Sequence, residues 1–367
     1  MLVVVAMSGG VDSSVAAALL CEAGHQVVGV TMQIWPEQGQ ERSERKGGCC
    51  AMGAVRDARA VATLLGIPYY VFHMREEFER HVIAHFAAAY AAGRTPNPCV
   101  ACNEHIKFSA LLEKARRLGA DALATGHYAR VDRSEDGGLR LLRGADPRKD
   151  QSYVLHPIRR ADLDYLRFPT GEFAKEEVRA RARAFGLPVA DKPDSQEICF
   201  VGPEGYAAVV AERRPEAVRP GPILDTAGAV LGAHRGLAHY TLGQRKGLGL
   251  SGLGARFVVA IDPEANAVIV GSALETHATA CVVPRANWLL PEPPAAGTAV
   301  TAKVRSGPAE HRAVVRAVGR DGFTVEFTEP VRAVTPGQGC VLYAGDVVVG
   351  GGEIGSVQRV PASVAAT

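Results

Sequence analysis

Leu2 to Ala6 is an unbroken apolar run rich in β-branched residues, and it stops at the small polar turn Met7-Ser8-Gly9-Gly10. Val11 to Glu22 then reads as a helix that Gly24 ends, so the chain opens as strand, turn and helix. The pattern repeats. Gln26 to Met32 predicts a second buried strand, Ala54 to Leu65 a helix closed by Gly66, and Ile67 to Phe72 a third strand. Asp121 to Thr125 predicts another, after a helix around Ser109 to Leu118. Strands alternating with helices imply an α/β domain whose parallel sheet is covered on both faces.

From Tyr165 the alternation weakens. Lys175 to Phe185 reads as a basic helix closed by Gly186-Leu187-Pro188, and it leads into the loop Asp191-Lys192-Pro193-Asp194-Ser195. The first domain is therefore expected over 1–200. A small glycine-rich central domain is expected over 201–275. From 276 to 367 apolar and polar residues alternate between turns such as Gly319-Arg320-Asp321-Gly322, the pattern of short antiparallel strands in a compact β-barrel or sandwich.

Composition narrows the classes. At 367 residues, 47% hydrophobic and 22% charged, the chain can bury more than one core and is neither disordered nor collagen-like. Lys plus Arg exceed Asp plus Glu by 41 to 39, so any nucleic-acid contact must come from local basic patches. No stretch of eighteen apolar residues lacks charge, and the start has no basic leader pattern, so a cytosolic protein without a membrane span is expected. Eight cysteines are too few for a disulfide scaffold. Cys21, Cys281 and Cys340 sit singly among apolar residues and are expected to be plain buried side chains, as helical surface or core roles are for His73, His81 and His85.

Ser8-Gly9-Gly10-Val11-Asp12-Ser13-Ser14 joins the first strand to the first helix. Unpaired N–H groups and the positive end of the helix dipole favour an anion at such a junction. Glycines admit close approach, the hydroxyls of Ser8, Ser13 and Ser14 can donate, and Asp12 could orient the loop or help place Mg²⁺. No lysine follows the second glycine, which disfavours a kinase or GTPase. Gly247-Leu248-Gly249-Leu250-Ser251-Gly252 also fits a dinucleotide spacing, but it precedes a strand instead of following one.

Cys99 and Cys102 lie in the turn-rich Gly93-Arg94-Thr95-Pro96-Asn97-Pro98-Cys99-Val100-Ala101-Cys102-Asn103, which follows a helical stretch from Glu76 to Ala92. A helix is expected after Asn103, so Cys102 should sit near a helix start, where a thiolate is favoured. Cys199 follows much later in Asp194-Ser195-Gln196-Glu197-Ile198-Cys199-Phe200.

The SGGVDSS loop is similar to the pyrophosphate loop of the N-type ATP pyrophosphatases. Taken with TPNPxxxCN, ATGHYAR, KDQSYVL and DSQEICF, in that order, it resembles the tRNA-specific 2-thiouridylases, and HRGLAHYTLGQRKGLG extends the likeness into the tail. The resemblance implies adenylation of the 2-carbonyl oxygen of a wobble uridine with ATP, then displacement of AMP by sulfur. Partners would be a tRNA of the Lys, Glu or Gln type and a sulfur carrier or cysteine desulfurase. By motif, Cys199 would carry the persulfide and Cys102 would release its sulfur through a transient disulfide. ATP would contact Ala6, Met7, Ser8, Gly9, Gly10, Val11, Asp12, Ser13, Met32 and Gly126. Base and tRNA contacts would map onto Asn97, Pro98, Cys99, His127, Lys149, Asp150, Gln151, Arg305, Ser306 and Gln338.

The resemblance implies aspartate at this position in many relatives, in the motif NPDxxCN, where this chain has Cys99. The change leaves a second mechanism open, an iron–sulfur cluster held by Cys99, Cys102 and Cys199. Two other readings stand beside the thiolase: a synthetase that adenylates a small carbonyl substrate for nitrogen transfer, and a non-enzymatic tRNA- or zinc-binding protein using Cys49, Cys50, Cys99 and Cys102.

Overall fold

The computed structural model describes residues 1–34, 52–194, 198–250, 254–319 and 321–360. Cys49, Cys50, Ser195, Gln196, Glu197, Ser251 and Gly252 therefore lie outside the described residues. The chain divides into two compact units. The first takes Met1–Val82, Cys99–Pro203 and Asp346–Val348, and the second takes Ile83–Pro98, Glu204–Gly345 and the chain from Val349 onward.

In the first unit, strands β1 (Leu2–Ala6), β2 (Gln26–Gln33), β3 (Tyr69–His73), β4 (Ala122–Thr125) and β7 (Leu166–Arg167) form a sheet in the order β3-β2-β1-β4-β7. Every pairing in it is parallel. β1 is central and buried on both faces, as its unbroken apolar run requires. Helices α1 (Val11–Glu22) and α2 (Met52–Leu65) follow β1 and β2, and α3 (Lys175–Ala184) packs on α1. Their shared core includes Val3, Val5, Val15, Val61, Val178 and Leu187. Strands β5 (Ala129–Arg133) and β6 (Leu139–Arg143) add an antiparallel hairpin.

The helical run that carries Cys102 starts earlier than expected. It comprises Pro98–Ala101, the π-helical Cys102–Leu111 and Leu112–Arg117. Proline is pre-set for the first helical position, and that signal outweighs the turn-like composition before it. Cys99 therefore occupies the first turn and Cys102 the second, with a break in helical geometry at Phe108 (φ −99°, ψ 15°).

The second unit holds two sheets. Gly221–Asp225, Val230–His234, Phe257–Asp262 and Ala267–Gly271 make the smaller one, around Ile223, Val258, Val268 and Val270. The larger is antiparallel and is built from strands between His277 and Arg359; its core includes Val283, Val315, Val325 and Leu342. Cys281 and Cys340 are buried there, and a hydrogen bond with Cys281 together with burial pushes the Cys340 thiol up. Cys21, expected to be a plain buried side chain, is instead only partly buried near the end of α1, packed against the core. No helix among the described residues is long and apolar enough to cross a membrane.

Candidate active site

The phosphate loop is held at both ends. Met7 N–H donates to Val30 O at 2.8 Å, and Thr31 Oγ1 donates to Met7 O at 2.7 Å, fixing the exit from β1. Met7 turns its side chain into the core, so only its backbone is available to a ligand. Gly9 has φ +67°, and a Cβ there would lie 2.2 Å from Ala54 O, so no other residue fits. No side chain caps α1 at Gly10. Its first turn is thus built to receive an anion.

The hydroxyls are spent differently from the sequence-based expectation. Ser14 Oγ donates to Gly10 O at 2.8 Å and is fully buried, and Ser13 Oγ donates to the same carbonyl at 3.3 Å. Ser13 Oγ also accepts the Ser8 N–H and lies 3.1 Å from Ser8 Oγ. These groups rigidify the loop; they do not all point at a ligand. Gly126 closes the other wall. A Cβ at Gly126 would stand 2.5 Å from Ser13 N and 2.6 Å from the Asp12 carbonyl carbon, so the end of β4 presses against the start of α1. Ala6 is buried at the end of β1, and Met32, partly exposed, pairs with Phe72 near the end of β2.

Asp12 is engaged from two sides. Tyr128 Oη donates to its Oδ1 at 2.7 Å and Lys175 Nζ donates to the same oxygen at 2.6 Å. Burial, and then the Asp12 charge, push the Tyr128 phenol well up, so it stays a donor. Lys175 Nζ also lies 2.9 Å from Asp194 Oδ1, and Asp194 receives Lys149 Nζ and Arg179, each at 2.8 Å. Burial alone would raise Asp194, but the bonds from Lys149 and Lys175 hold its carboxyl at about 2. A chain of alternating charges thus links the phosphate loop, α3 and the segment leading to Cys199. Lys192, from the same segment, donates to Gly9 O at 2.9 Å and to Asp57 Oδ2 at 2.8 Å. Sequence reading named Lys175 and Lys192 only as parts of a helix and a loop.

His127 is buried. Burial, followed by the charge of Lys107, lowers its pKa well below the usual value, so the ring is neutral near pH 7. Lys107 Nζ, a donor only, lies 3.3 Å from Nε2; the proton therefore sits on Nδ1 and is donated to Thr125 Oγ1 at 2.7 Å. Among the residues expected to contact tRNA, Asp150 is turned inward, accepting from Gly144 N–H at 3.2 Å and Ser152 N–H at 3.0 Å. It shapes the turn that presents Lys149 and Gln151. Gln151 is exposed, with its Oε1 accepting the Tyr128 N–H.

Cys99 is exposed, while Cys102 and Cys199 are partly buried. Phe200 anchors the Cys199 segment edge-on against Phe78 at 6.0 Å. Among the described residues, no three His, Cys, Asp or Glu side chains are grouped so as to hold a metal ion. The Cys99, Cys102 and Cys199 trio is therefore not a formed cluster site in this conformation. His81 and His105 stack at 4.8 Å, an arrangement that requires no ligand.

In the second unit, the segment containing Asn97 and Pro98 is tied to the larger sheet's loops. Gln338 Nε2 donates to Thr95 O at 2.7 Å, Thr95 N–H donates to Pro336 O, and Arg94 donates to Ile354 O. The Gln338 amide is thus committed to positioning that segment. Arg305 and Ser306 are exposed, with Arg305 donating to Ala333 O.

Residues 1–203 match the tRNA methyl transferase HUP domain, 208–272 the tRNA methyl transferase PRC-barrel domain, and 278–354 the aminomethyltransferase beta-barrel domain. The chain is 51% identical to the tRNA-specific 2-thiouridylase MnmA of Carboxydothermus hydrogenoformans, over 96% of this chain and 97% of that one. The chain belongs to the tRNA-specific 2-thiouridylase family. The MnmA protein of Chloroflexus aurantiacus is 52% identical over 96% of this chain and 98% of its own, and that of Moorella thermoacetica 51% over 97% and 100%. The family's architecture of a HUP domain, a PRC-barrel and a β-barrel accounts for the parallel sheet and the two later sheets.

Proposed function

We propose that this 2-thiouridylase family member activates the 2-carbonyl oxygen of a tRNA wobble uridine with ATP and replaces that oxygen with sulfur. The observation that carries the reading is the uncapped start of α1 beneath a glycine loop, walled by Gly126, in a chain about half identical to 2-thiouridylases along nearly its whole length. In this reading the loop takes the β and γ phosphates of ATP, and the uridine oxygen attacks the α phosphorus, expelling pyrophosphate. Any magnesium would be held chiefly by the phosphates it neutralises, because Asp12 Oδ1 already accepts from Tyr128 and Lys175.

Sulfur then comes from a persulfide on Cys199, supplied by a persulfide-bearing carrier protein or desulfurase. Its terminal sulfur attacks C2 of the base, and AMP departs with the former carbonyl oxygen. Cys102 thiolate attacks Cys199 Sγ, forming the Cys102–Cys199 disulfide and releasing the thiolated base; an external dithiol restores both thiols. Asn97, Pro98 and Cys99 would meet the base, and Lys149, Gln151, Arg305 and Ser306 the tRNA backbone. Such a base must leave its stack to be reached.

The test supplies the purified chain with unmodified tRNA, ATP and a persulfide donor, then digests the tRNA for nucleoside mass spectrometry. 2-Thiouridine, with AMP and pyrophosphate in equal amounts, is expected. ADP with phosphate, or tRNA without thiolation, would overturn the reading.

A further inference from the structure

The loop Ser8-Gly9-Gly10-Val11-Asp12-Ser13-Ser14 contains no cation of its own. One reaches it from 183 residues away: Lys192 Nζ donates to Gly9 O at 2.9 Å, while Asp57 holds the same ammonium at 2.8 Å. The Gly9–Gly10 peptide is trans, so its N–H points opposite to its carbonyl. A cation that holds Gly9 O therefore fixes the direction of the Gly10 N–H. The next peptide is locked in the same manner, its Gly10 carbonyl accepting Ser14 Oγ at 2.8 Å and Ser14 N–H at 3.3 Å.

Gly9 is the point where this loop is free to turn over. Its φ of +67° is open to glycine in either sense, and glycine follows it. A flipped Gly9–Gly10 peptide would present a carbonyl oxygen to an anion in place of an N–H, changing attraction into repulsion. Lys192 opposes that flip with a charge-assisted bond, and the polarised peptide donates more strongly from its far end.

We propose that Lys192 is a positioning residue for the phosphate loop, holding the Gly10 N–H toward the β and γ phosphates of ATP and toward pyrophosphate. Lys175 does not share this task, because it is buried between Asp12 and Asp194. Lys192 precedes Cys199 by seven positions, so the same lysine ties the phosphate loop to the segment that leads to Cys199. The assignment rests on the ATP reading above.

The experiment compares the full chain with Lys192→Met, Lys192→Arg and Asp57→Asn by calorimetry, using ATP, pyrophosphate and AMP as separate ligands. Lys192→Met should weaken ATP and pyrophosphate about tenfold or more while AMP changes less than twofold. Lys192→Arg should recover most of the loss, and Asp57→Asn should lose less than Lys192→Met because the lysine remains. Equal weakening of all three ligands, or full reproduction of the loss by Asp57→Asn, would reduce Lys192 to a structural ion pair and overturn the proposal. A second measurement needs no variant. In wild-type chain labelled with ¹⁵N-glycine, pyrophosphate should move the Gly10 amide resonance and AMP should not; an unmoved Gly10 amide overturns the assignment. Wild-type chain that binds neither ATP nor pyrophosphate overturns the ATP reading and the assignment with it. If it binds both and Lys192→Met is unchanged, the assignment alone fails.

Discussion

Lys175 and Asp12, 163 residues apart in sequence, meet at 2.6 Å beneath the phosphate loop, and the lysine side chain is only 7% exposed. Its charge is balanced by Asp12 and Asp194 together, so removing it leaves Asp12 with the Tyr128 hydroxyl alone among the described residues, while Asp194 keeps Lys149 and Arg179. Breaking a buried pair by removing one partner costs about 3–5 kcal/mol. Because both aspartates keep some contact with water, Lys175→Met should lower unfolding stability by about 3 kcal/mol, near the bottom of that range. Urea titration measures this, and an unchanged midpoint would mean that the aspartates simply rehydrate.

Gly126 and Gly10 make opposite predictions although both line the loop. An added Cβ at Gly126 meets backbone atoms of Ser13 and Asp12 that cannot yield, whereas at Gly10 it meets only Ser8 Oγ at 3.4 Å. Gly126→Ala should cost about 1–3 kcal/mol, as overpacking does. It should also weaken ATP binding at least tenfold by displacing the start of α1. Gly10→Ala should keep wild-type stability. Thermal melts and ATP calorimetry on the two variants decide, and equal behaviour would refute the proposed wall.

The two buried histidines of this unit make it acid-sensitive. Burial, opposed only by a hydrogen bond to Tyr153 O, brings His156 down to about 4, and His127 is also lowered. Above pH 6.5 both are neutral in folded and unfolded chains alike. Below it the unfolded chain takes up protons that the folded chain refuses, so stability falls as pH drops from 6.5 toward 4. At about 1.4 kcal/mol per pH unit, His156 alone accounts for about 2 kcal/mol between pH 6.5 and 5. Urea midpoints at pH 7.5 and 5 should differ accordingly, and His156→Gln should flatten the difference. A flat profile in the wild type would contradict the assigned burial.

The strand, turn and helix of the loop could be read from sequence because each rule there is local. An apolar run ends at glycines, and a helix follows, with bounds matching Val11–Glu22. The Asp12, Lys175 and Asp194 network could not be read in that way, since its partners converge only once α3 packs on α1. Cys102 was misplaced by one turn for a different reason. Pro96 and Pro98 look like turn residues, yet Pro98 opens the helix. Asp150 was expected to face tRNA from its motif alone, and its two bonds to backbone N–H groups turn it inward.

Transfer RNA binding should depend steeply on salt although the chain carries a net charge of only +2. Arg305 is exposed, and Lys149 can exchange Asp194 for a phosphate, so local cations displace counterions. Raising salt from 50 to 200 mM should weaken binding by at least about tenfold. Filter binding at several salt concentrations checks this, and a flat response would remove these residues from the tRNA surface.

Cys99 separates two sulfur chemistries. On the helical run it lies three residues before Cys102, so the two occupy neighbouring positions on one face. Its exposure leaves it open to solvent, and the described residues form no metal-binding group around it. The persulfide route needs Cys102 and Cys199 alone. Cys102→Ala and Cys199→Ala should each abolish 2-thiouridine formation, while Cys99→Ala retains it within a few fold, in protein purified in air and supplied with a persulfide donor. Mass spectrometry of the Cys199 peptide should then carry one extra sulfur before tRNA is added. Anaerobic protein that contains iron, absorbs in the visible, and loses both colour and thiolation in Cys99→Ala would replace this route. The helical run would then have to bring Cys99 and Cys102 to Cys199 as three ligands of one cluster.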